Sequence, residues 1–294
     1  MLTRRRFLTI AAAASLAPPA YAGTLHSWQG IALGSEVRIT LAGATAQQAR
    51  KVFHKVKAKL MRIETQFSLH RSSSLSRLNR DGHLPYPARD MLDLFDLAGK
   101  VHKATGGLFD PSVQPLWMAV ATGGDISAAR PLVGWDYVKA TTEEIRLKRP
   151  GMALTFNGIA QGAAADRIAA LMRAQGFDNV MIDMGEVIAL GQRPDGGGWR
   201  AEIETPQGTP VARRSLQNRA LATSAPTGTR IGPNGQHAHI INPTGHAPLW
   251  QLASVEADQA ALADALSTAF CLMDRKAIDA ALEMFPNTTV AALV

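Results

Sequence analysis

The chain has 294 residues, of which 46% are hydrophobic and 19% are charged, and its formal net charge is +7. This composition is ordinary for a globular protein with a large core, and the length permits one large domain or two small ones. The single cysteine, Cys271, excludes an internal disulfide and is expected to be buried in the C-terminal helical region. Nucleic-acid binding is not expected, because aromatic residues are few and the positive charge forms no dense cluster.

The N-terminus predicts an export signal. Arg4 and Arg5 precede an apolar run, and Ala20-Tyr21-Ala22 has the small-x-small pattern of a cleavage site. The arginine pair favours a twin-arginine signal, which carries folded proteins, over a general secretory one. We therefore predict a signal peptide at 1–22, one catalytic domain at 23–294 and a periplasmic product that does not span the membrane. The leader holds three of the positive charges, so its removal would lower the net charge from +7 to +4.

The first elements are predicted from local patterns. Residues 27–41 predict two short strands around Gly34-Ser35. Thr45 opens a capping-box pattern, and the helix that follows has apolar residues near the 3.6 period at Ala49, Val52, Phe53, Val56, Leu60 and Ile63. Its lysines are expected to form the solvated side. Residues 90–105 predict a second helix, which the turn at 106–111 ends.

The rest of the chain mixes strands and helices. Residues 122–136 predict a loop, 144–148 and 153–157 a hairpin around Pro150-Gly151, and 158–175 a helix. Further strands are expected at 179–190, 199–204, 220–224, 237–241, 252–257 and 288–293, with two helices before the last of them. Since no regular βαβ alternation occurs, the predicted fold class is α+β, with mixed sheets packed against helices.

The stretch Leu262 to Thr268 is a candidate metal site. Asp258 could cap the helix, and Asp264 and Thr268 are then four residues apart on one face. A carboxylate and a hydroxyl suit Mg²⁺, which completes its coordination with water and substrate phosphates. The alternative is a surface carboxylate beside a threonine that bonds back to the preceding turn.

Three further segments could carry chemistry. Residues 157–162 lead from a strand end into a helix N-terminus, which suits a phosphate, although an ordinary turn would have the same sequence. His237 and His239 point the same way on a strand, and without a third soft ligand a proton-transfer role is favoured over zinc. Gly107 could let backbone approach a ligand, or could simply end a helix.

Together these segments resemble the ApbE-like family of FAD:protein FMN transferases. The resemblance runs from about Gly34 to the C-terminal helices. The motifs that carry it are Phe67-Ser68, Ser76-Arg77-Leu78-Asn79, Thr105-Gly106-Gly107-Leu108-Phe109-Asp110-Pro111, Gly158-Ile159-Ala160-Gln161-Gly162-x3-Asp166, Gly185-Glu186, Ala222-Thr223-Ser224, His239-Ile240-Ile241-Asn242-Pro243-x-Gly245 and Ala263-Asp264-Ala265-Leu266-Ser267-Thr268. With the leader, the pattern is also similar to the NosX-type branch, which is associated with nitrous oxide respiration.

The resemblance implies a reaction and a set of site residues. FAD binds with Mg²⁺ on its diphosphate, a threonine hydroxyl of an exported or membrane-bound acceptor protein attacks the phosphorus on the FMN side, and AMP leaves. By motif match, the metal residues are Gly158 through its carbonyl and Asp264 and Thr268 through their side chains. The flavin-contacting positions are Gly107, Leu108, Phe109, Thr155 and Gln161, and His239 is the candidate for accepting the proton of the attacking hydroxyl.

The sequence departs from the family pattern around the flavin. Gln161 stands where the family commonly has a charged residue, and Thr155 where it usually has Asp. Asn242 replaces another Asp, and Met184 and Ala225 replace glycines. Two alternatives therefore stay open: an FAD pyrophosphatase with water as the attacker, and an exported FAD carrier or assembly factor without turnover.

Overall fold

A computed structural model describes residues 8–9 and 24–294. The rest of the predicted leader, including Arg4, Arg5 and the cleavage pattern, lies outside the described residues. The strands are β1 Leu8–Thr9, β2 Leu25–Ala32, β3 Ser35–Ala42, β4 His83–Pro85, β5 Val138–Ala140, β6 Glu144–Leu147, β7 Val180–Asp183, β8 Val187–Leu190, β9 Trp199–Glu204, β10 Pro210–Leu216, β11 Arg219–Ser224, β12 Arg230–Ile231, β13 His237–Ala238, β14 Ala253–Ala257 and β15 Thr289–Leu293.

The α-helices alternate irregularly with these strands. They are α1 Ala46–Phe67, α2 Ser74–Asp81, α3 Arg89–Ala104, α4 Gln114–Thr122, α5 Ile126–Ala129, α6 Ala160–Ala174, α7 Ala260–Phe270 and α8 Arg275–Leu282. Single 3₁₀ turns lie at Pro111–Val113, Arg130–Leu132 and Trp135–Tyr137. None of the helices in the described ranges is long and apolar enough to cross a bilayer.

A seven-stranded sheet is the centre of the fold. Its order is β15-β14-β11-β8-β7-β3-β2, and every neighbouring pair is antiparallel. Helices α1, α6 and α7 belong to the large hydrophobic core on one face, while β9 and β10 contribute Trp199, Ile203 and Leu216 to a second core with the other face. Smaller sheets, β1-β9-β10, β4-β6-β5 and β12-β13, complete the architecture. The predicted α+β class is confirmed.

Helix α1 follows the sequence prediction closely. Thr45 accepts a hydrogen bond from the Gln48 amide, and the Gln48 side chain accepts one from the Thr45 amide. All six predicted apolar positions are buried, and Phe67 joins them one turn later. Local capping and the 3.6 period therefore determine this helix.

The predicted hairpin around Pro150-Gly151 is wrong in its second strand. β6 forms as expected, but it pairs with β4 and β5, and residues 153–157 form no strand. The side chain of Asn79 takes both backbone groups of Leu154, with its Oδ1 2.7 Å from the Leu154 amide nitrogen and its Nδ2 2.8 Å from the carbonyl oxygen. The Thr155 amide donates to the Pro111 carbonyl at 2.8 Å. The backbone groups of residues 154 and 155 are therefore bonded to the Asn79 side chain and to a loop, and they are not available to a neighbouring strand.

Other differences are local. The segment predicted as a loop at 122–136 contains α5 and two 3₁₀ turns, and the predicted strand at 179–190 is the hairpin of β7 and β8. β10 was not predicted, and the expected strand at 237–241 extends only over His237–Ala238. Cys271 is buried as expected, and burial raises the pKa of its thiol to about 12.

Candidate active site

The predicted metal residues meet where α6 and α7 cross. Asp264 is buried on α7, and its Oδ2 accepts a hydrogen bond from the Gly162 amide of α6 at 3.1 Å. A Cβ on Gly158 would lie 2.9 Å from Thr268 Oγ1, so Gly158 is in close contact with the threonine hydroxyl. The structure therefore brings a carboxylate, a hydroxyl and a backbone segment from three predicted positions into one region.

Each of the two helices has its N-terminal amides bonded by an aspartate of the other helix. Neither α6 nor α7 has a hydrogen-bonding side chain at its own N-cap. Asp166 of α6 accepts from the Ala260 amide at 2.8 Å through Oδ1 and from the Ala261 amide at 2.9 Å through Oδ2. Asp264 of α7 accepts from Gly162 in the first turn of α6. We call this arrangement the reciprocal caps.

The reciprocal caps require a glycine at the crossing. A Cβ on Gly162 would lie 2.3 Å from the Ala260 carbonyl oxygen and 2.7 Å from the Ala261 Cα, so any larger residue would separate the helices. Burial raises the pKa of Asp166 to about 6, against the lowering effect of the two amides.

The prediction that Asp258 caps α7 is wrong. Gln259 occupies the N-cap position, and Asp258 instead forms an ion pair with Arg219 and accepts a hydrogen bond from Asn287. Asp166 was noted in the sequence only as part of a motif. The sequence indicates its role only indirectly. The start of α7 has no capping side chain of its own, so its buried amides need a hydrogen-bond acceptor from another element.

Three hydroxyl groups link the predicted metal residue Thr268 to β11. Ser224, at the end of β11, lies with its Oγ 2.8 Å from Ser267 Oγ and 3.3 Å from Thr268 Oγ1. Thr268 therefore contacts the neighbouring strand, as well as Gly158, and is only partly exposed. Ser224 belonged to a recognised motif, but the sequence assigned it no contact.

His239 is connected to the same strand end. Its Nδ1 lies 2.9 Å from the Pro226 carbonyl oxygen and 3.2 Å from the Thr229 carbonyl oxygen. The Trp117 indole donates to the His239 carbonyl at 3.0 Å. Carbonyl oxygens only accept, so Nδ1 carries the hydrogen and the Nε2 of the neutral ring is an acceptor.

The glycine-containing loop at 106–111 is held by backbone hydrogen bonds. Gly107 has φ +86°, a conformation that favours glycine, and its amide donates to the His102 carbonyl at 2.9 Å. Leu108 is half-buried, while the Phe109 side chain is buried in the large core. The backbone of Phe109 is also engaged, because its amide donates to Thr105 Oγ1 at 3.1 Å and its carbonyl oxygen lies 2.9 Å from His102 Nδ1. Thr155, which bonds to Pro111, connects this loop to Gly158.

Gln161 has a neutral, buried environment. Its Nε2 donates to Ser35 Oγ at 2.7 Å and to the Met184 carbonyl at 2.9 Å, and the residue is 4% exposed. It is the second residue of α6, closer to the helix start than the sequence indicated. The side chain thus ties α6 to β3 and to the turn between β7 and β8.

The expected phosphate position at the start of α6 has few open amides. The Ile159 and Ala160 amides both donate to the Phe156 carbonyl, at 3.0 and 2.7 Å, and the Gly162 amide donates to Asp264. This junction would therefore attract an anion mainly through the helix dipole, since few of its amides are unbonded.

Asn242 keeps a compact turn without a charge. Its Oδ1 accepts from the Thr244 amide at 2.9 Å and from the Thr244 hydroxyl at 2.7 Å. The turn then reaches Gly245, whose φ is +93° and where a Cβ would lie 2.9 Å from the Arg130 guanidinium. The neutral amide is therefore sufficient for the local geometry that an Asp would also provide.

Comparison with known proteins gives one consistent family. The model of the ApbE family matches residues 33–294. Curated FAD:protein FMN transferases from Vibrio cholerae and Salmonella typhimurium are 28% identical over 212 residues and 24% identical over 244 residues. These alignments cover 65% of this chain and 63% of the Vibrio protein, and 75% of this chain and 70% of the Salmonella protein.

Solved structures share the fold. Flavin transferase ApbE from Vibrio cholerae has a TM-score of 0.77 at 22% identity, over 91% of this chain and 93% of that one. The ApbE protein from Thermotoga maritima has a TM-score of 0.80 at 22% identity, over 92% of this chain and 96% of that one.

Proposed function

This chain belongs to the ApbE family, and we propose that it is an Mg²⁺-dependent FAD:protein FMN transferase acting on a threonine of an acceptor protein. The observation that carries the proposal is the meeting of Asp264, Thr268 and Gly158 at the α6–α7 crossing. The names of the Vibrio and Salmonella relatives support the reaction class.

The donor set at the crossing fits Mg²⁺. Carboxylate, hydroxyl and carbonyl oxygens are the hard ligands that this ion prefers. In the described part of the chain no group of three His, Cys, Asp or Glu side chains could hold a metal. A single carboxylate is nevertheless compatible with Mg²⁺, because the ion usually keeps several waters and binds substrate phosphates. When bound, it would neutralise charge on the diphosphate of FAD.

The protein residues would then position the reactants and move one proton. The bond from the threonine oxygen to the FMN phosphorus forms, the bond from that phosphorus to the AMP oxygen breaks, and AMP leaves. The Nε2 of His239 accepts the hydroxyl proton, since Nδ1 already donates to a carbonyl. The α6 dipole favours the negative charge of the diphosphate, and the loop at Gly107 offers close backbone approach.

The test is incubation of the chain with FAD, Mg²⁺ and a candidate acceptor, followed by mass spectrometry. We expect the acceptor to gain one FMN and AMP to appear. Asp264→Asn should abolish both while circular dichroism stays unchanged, because Asn keeps an acceptor for the Gly162 amide but loses the charge. Asp279→Asn, an exposed carboxylate on α8, is the matched control and should remain active.

The same incubation separates the alternatives. Release of AMP without a gain of mass on the acceptor would assign the pyrophosphatase reaction, with water as the attacker. Binding of FAD without AMP would assign the carrier, and the neutral residues Thr155, Gln161 and Asn242 would then account for the lost turnover.

Export to the periplasm by the twin-arginine route is part of the proposal. It is supported by the sequence pattern at 1–22, so replacing both Arg4 and Arg5 by Lys should leave the precursor in the cytoplasm. Cell fractionation measures this, and unchanged export of the variant would indicate the general secretory route.

A further inference from the structure

Positive charge is concentrated on one helix. α1 contains six Lys or Arg residues and one Glu, which gives it a formal charge of +5. Residues 23–294 carry +4 in total, so everything outside α1 carries −1. Lys51, Lys55, Lys59 and Arg62 are three or four residues apart and share one side of the helix, which we call the cationic face of α1, while Arg50 and Lys57 flank it.

These charges are poorly neutralised. Lys59 lies 3.5 Å from Asp90, and within residues 24–294 the other five basic residues of α1 form no ion pair. Other helices differ, because Arg89, Lys100 and Arg275 each pair with an aspartate one turn away. The five residues outside the Lys59 pair are exposed. The absence of such acidic partners leaves a positive surface rather than a neutral solvated one.

The cationic face also borders a depression without carboxylates. Its volume is about 560 Å³. The lining residues are Gln48, Arg50, Lys51, Val52, His54, Lys55, Gln175 and Phe177. A cavity with three basic side chains and no acid is suited to a phosphate group.

We propose that the cationic face of α1 docks on an anionic phospholipid surface, with the depression receiving headgroup phosphates. Its four residues extend from Lys51 to Arg62, roughly 17 Å along the helix axis. Four of the six basic residues of α1 are lysines, whereas protein interfaces are depleted in lysine. Met61, one turn after Lys57 and 53% exposed, lies at the edge of this face and can enter the headgroup region.

The experiment is sedimentation of the chain with vesicles of phosphatidylcholine, with and without phosphatidylglycerol, at low and high salt. We expect binding only with phosphatidylglycerol and loss of that binding at high salt. The triple variant Lys51→Glu, Lys55→Glu, Arg62→Glu should lower the vesicle partition coefficient by about tenfold or more, since each basic residue near the surface contributes severalfold. Its FAD binding should be unchanged.

A second triple variant controls for net charge. Lys148→Glu, Arg200→Glu and Lys276→Glu alter three exposed basic residues elsewhere by the same total charge and should leave vesicle binding nearly intact. Equal losses in both triples, or no binding to phosphatidylglycerol, would overturn the proposal. If the chain instead bound polyglutamate through α1 and ignored the vesicles, the face would be a site for an acidic protein. Thermal unfolding of each variant verifies its fold, and the milder pair Lys51→Gln, Lys55→Gln replaces any triple that does not fold.

Discussion

At the scale of single residues, the hydrogen bonds of His239 determine what its ring can do. Nδ1 faces the carbonyls of Pro226 and Thr229, so the hydrogen sits on that nitrogen and Nε2 is the acceptor. If this ring accepts the proton of the attacking hydroxyl, His239→Ala should slow FMN transfer by roughly 10²–10⁴-fold. Single-turnover rates with the acceptor protein measure the change.

The matched control is two residues away. His237 is exposed, so His237→Ala should transfer FMN at the rate of the unaltered chain. A similar rate loss in both variants would show that the substitutions act by disturbing the β12-β13 pair. A loss in His239→Ala far below the expected range would mean that His239 only contacts the flavin.

Gln161 gives a prediction about flavin affinity. Its amide donates to two neutral acceptors, Ser35 and Met184, and a lysine there could make the same bonds. If the FAD diphosphate binds at the start of α6, as proposed, the lysine would add a full charge within one helical turn of it. Gln161→Lys should therefore tighten FAD binding at low salt, with the gain shrinking as salt is added. Without FAD the variant should unfold at a lower temperature, because the buried charge lacks a partner.

Fluorescence titration of FAD at two salt concentrations tests the Gln161 prediction. Gln251→Lys, an exposed position with the same change of charge, should show neither effect. Weaker binding by Gln161→Lys would mean that Thr155, Gln161 and Asn242 form a self-consistent neutral pocket in which a lysine is unpaired.

At the scale of elements, the reciprocal caps connect the stability of α6 and α7 to Asp264, one of the proposed metal residues. Because burial raises the pKa of Asp166 to about 6, the folded chain binds a proton between the ordinary carboxyl pKa and 6 that the unfolded chain does not. The contribution of Asp166 to the free energy of unfolding should therefore fall as pH rises from about 4 to about 6, and then level off.

Asp166→Asn removes this titration while keeping one acceptor for the α7 amides. The difference in unfolding free energy between the unaltered chain and Asp166→Asn, measured with urea across this pH range, should decrease with rising pH. A difference that is constant with pH, or that increases, would show that the two backbone amides outweigh burial at this carboxyl.

The sequence predicts an element well when the interactions that form it lie within a few residues of one another. Helix α1 was predicted from Thr45, Gln48 and its apolar period, all of which act within a few residues. The strand expected at 153–157 does not form because Asn79 occupies its backbone groups from 75 residues away. The cap of α7 was misassigned to Asp258 because the true acceptor, Asp166, lies 94 residues earlier than Ala260.

The candidate site shows the same division. The residue types and motif order indicated Asp264, Thr268 and Gly158, and the fold places them at one crossing. The sequence did not predict where individual side chains point. Phe109 and Gln161 were expected to contact the flavin, but Phe109 points into the core and Gln161 points toward β3. The Ser224 contact with Thr268 likewise arises from the packing of β11 against α7, which a sequence pattern does not encode.

At the scale of the whole molecule, the candidate site draws on residues from Ser35 to Thr268, so a bound ligand would contact elements from most of the sequence. A ligand that binds only the folded chain stabilises it, by about 2.7 kcal/mol at a hundred times its Kd. For a domain of this size we expect FAD with Mg²⁺ at that concentration to raise Tm by roughly 5–10 °C. Either component alone should raise Tm less, because Mg²⁺ held by the proposed residues would offset the charge of the FAD diphosphate.

Differential scanning calorimetry of the chain and of Asp264→Asn makes the comparison. In the variant, FAD should give the same shift with and without Mg²⁺, because the carboxylate proposed to hold the ion is gone. Riboflavin, which lacks the diphosphate, should give no Mg²⁺-dependent shift in either protein. A full shift with FAD alone that Asp264→Asn does not change would place the flavin away from the α6–α7 crossing. The chain would then have the fold of the family without the metal site proposed here.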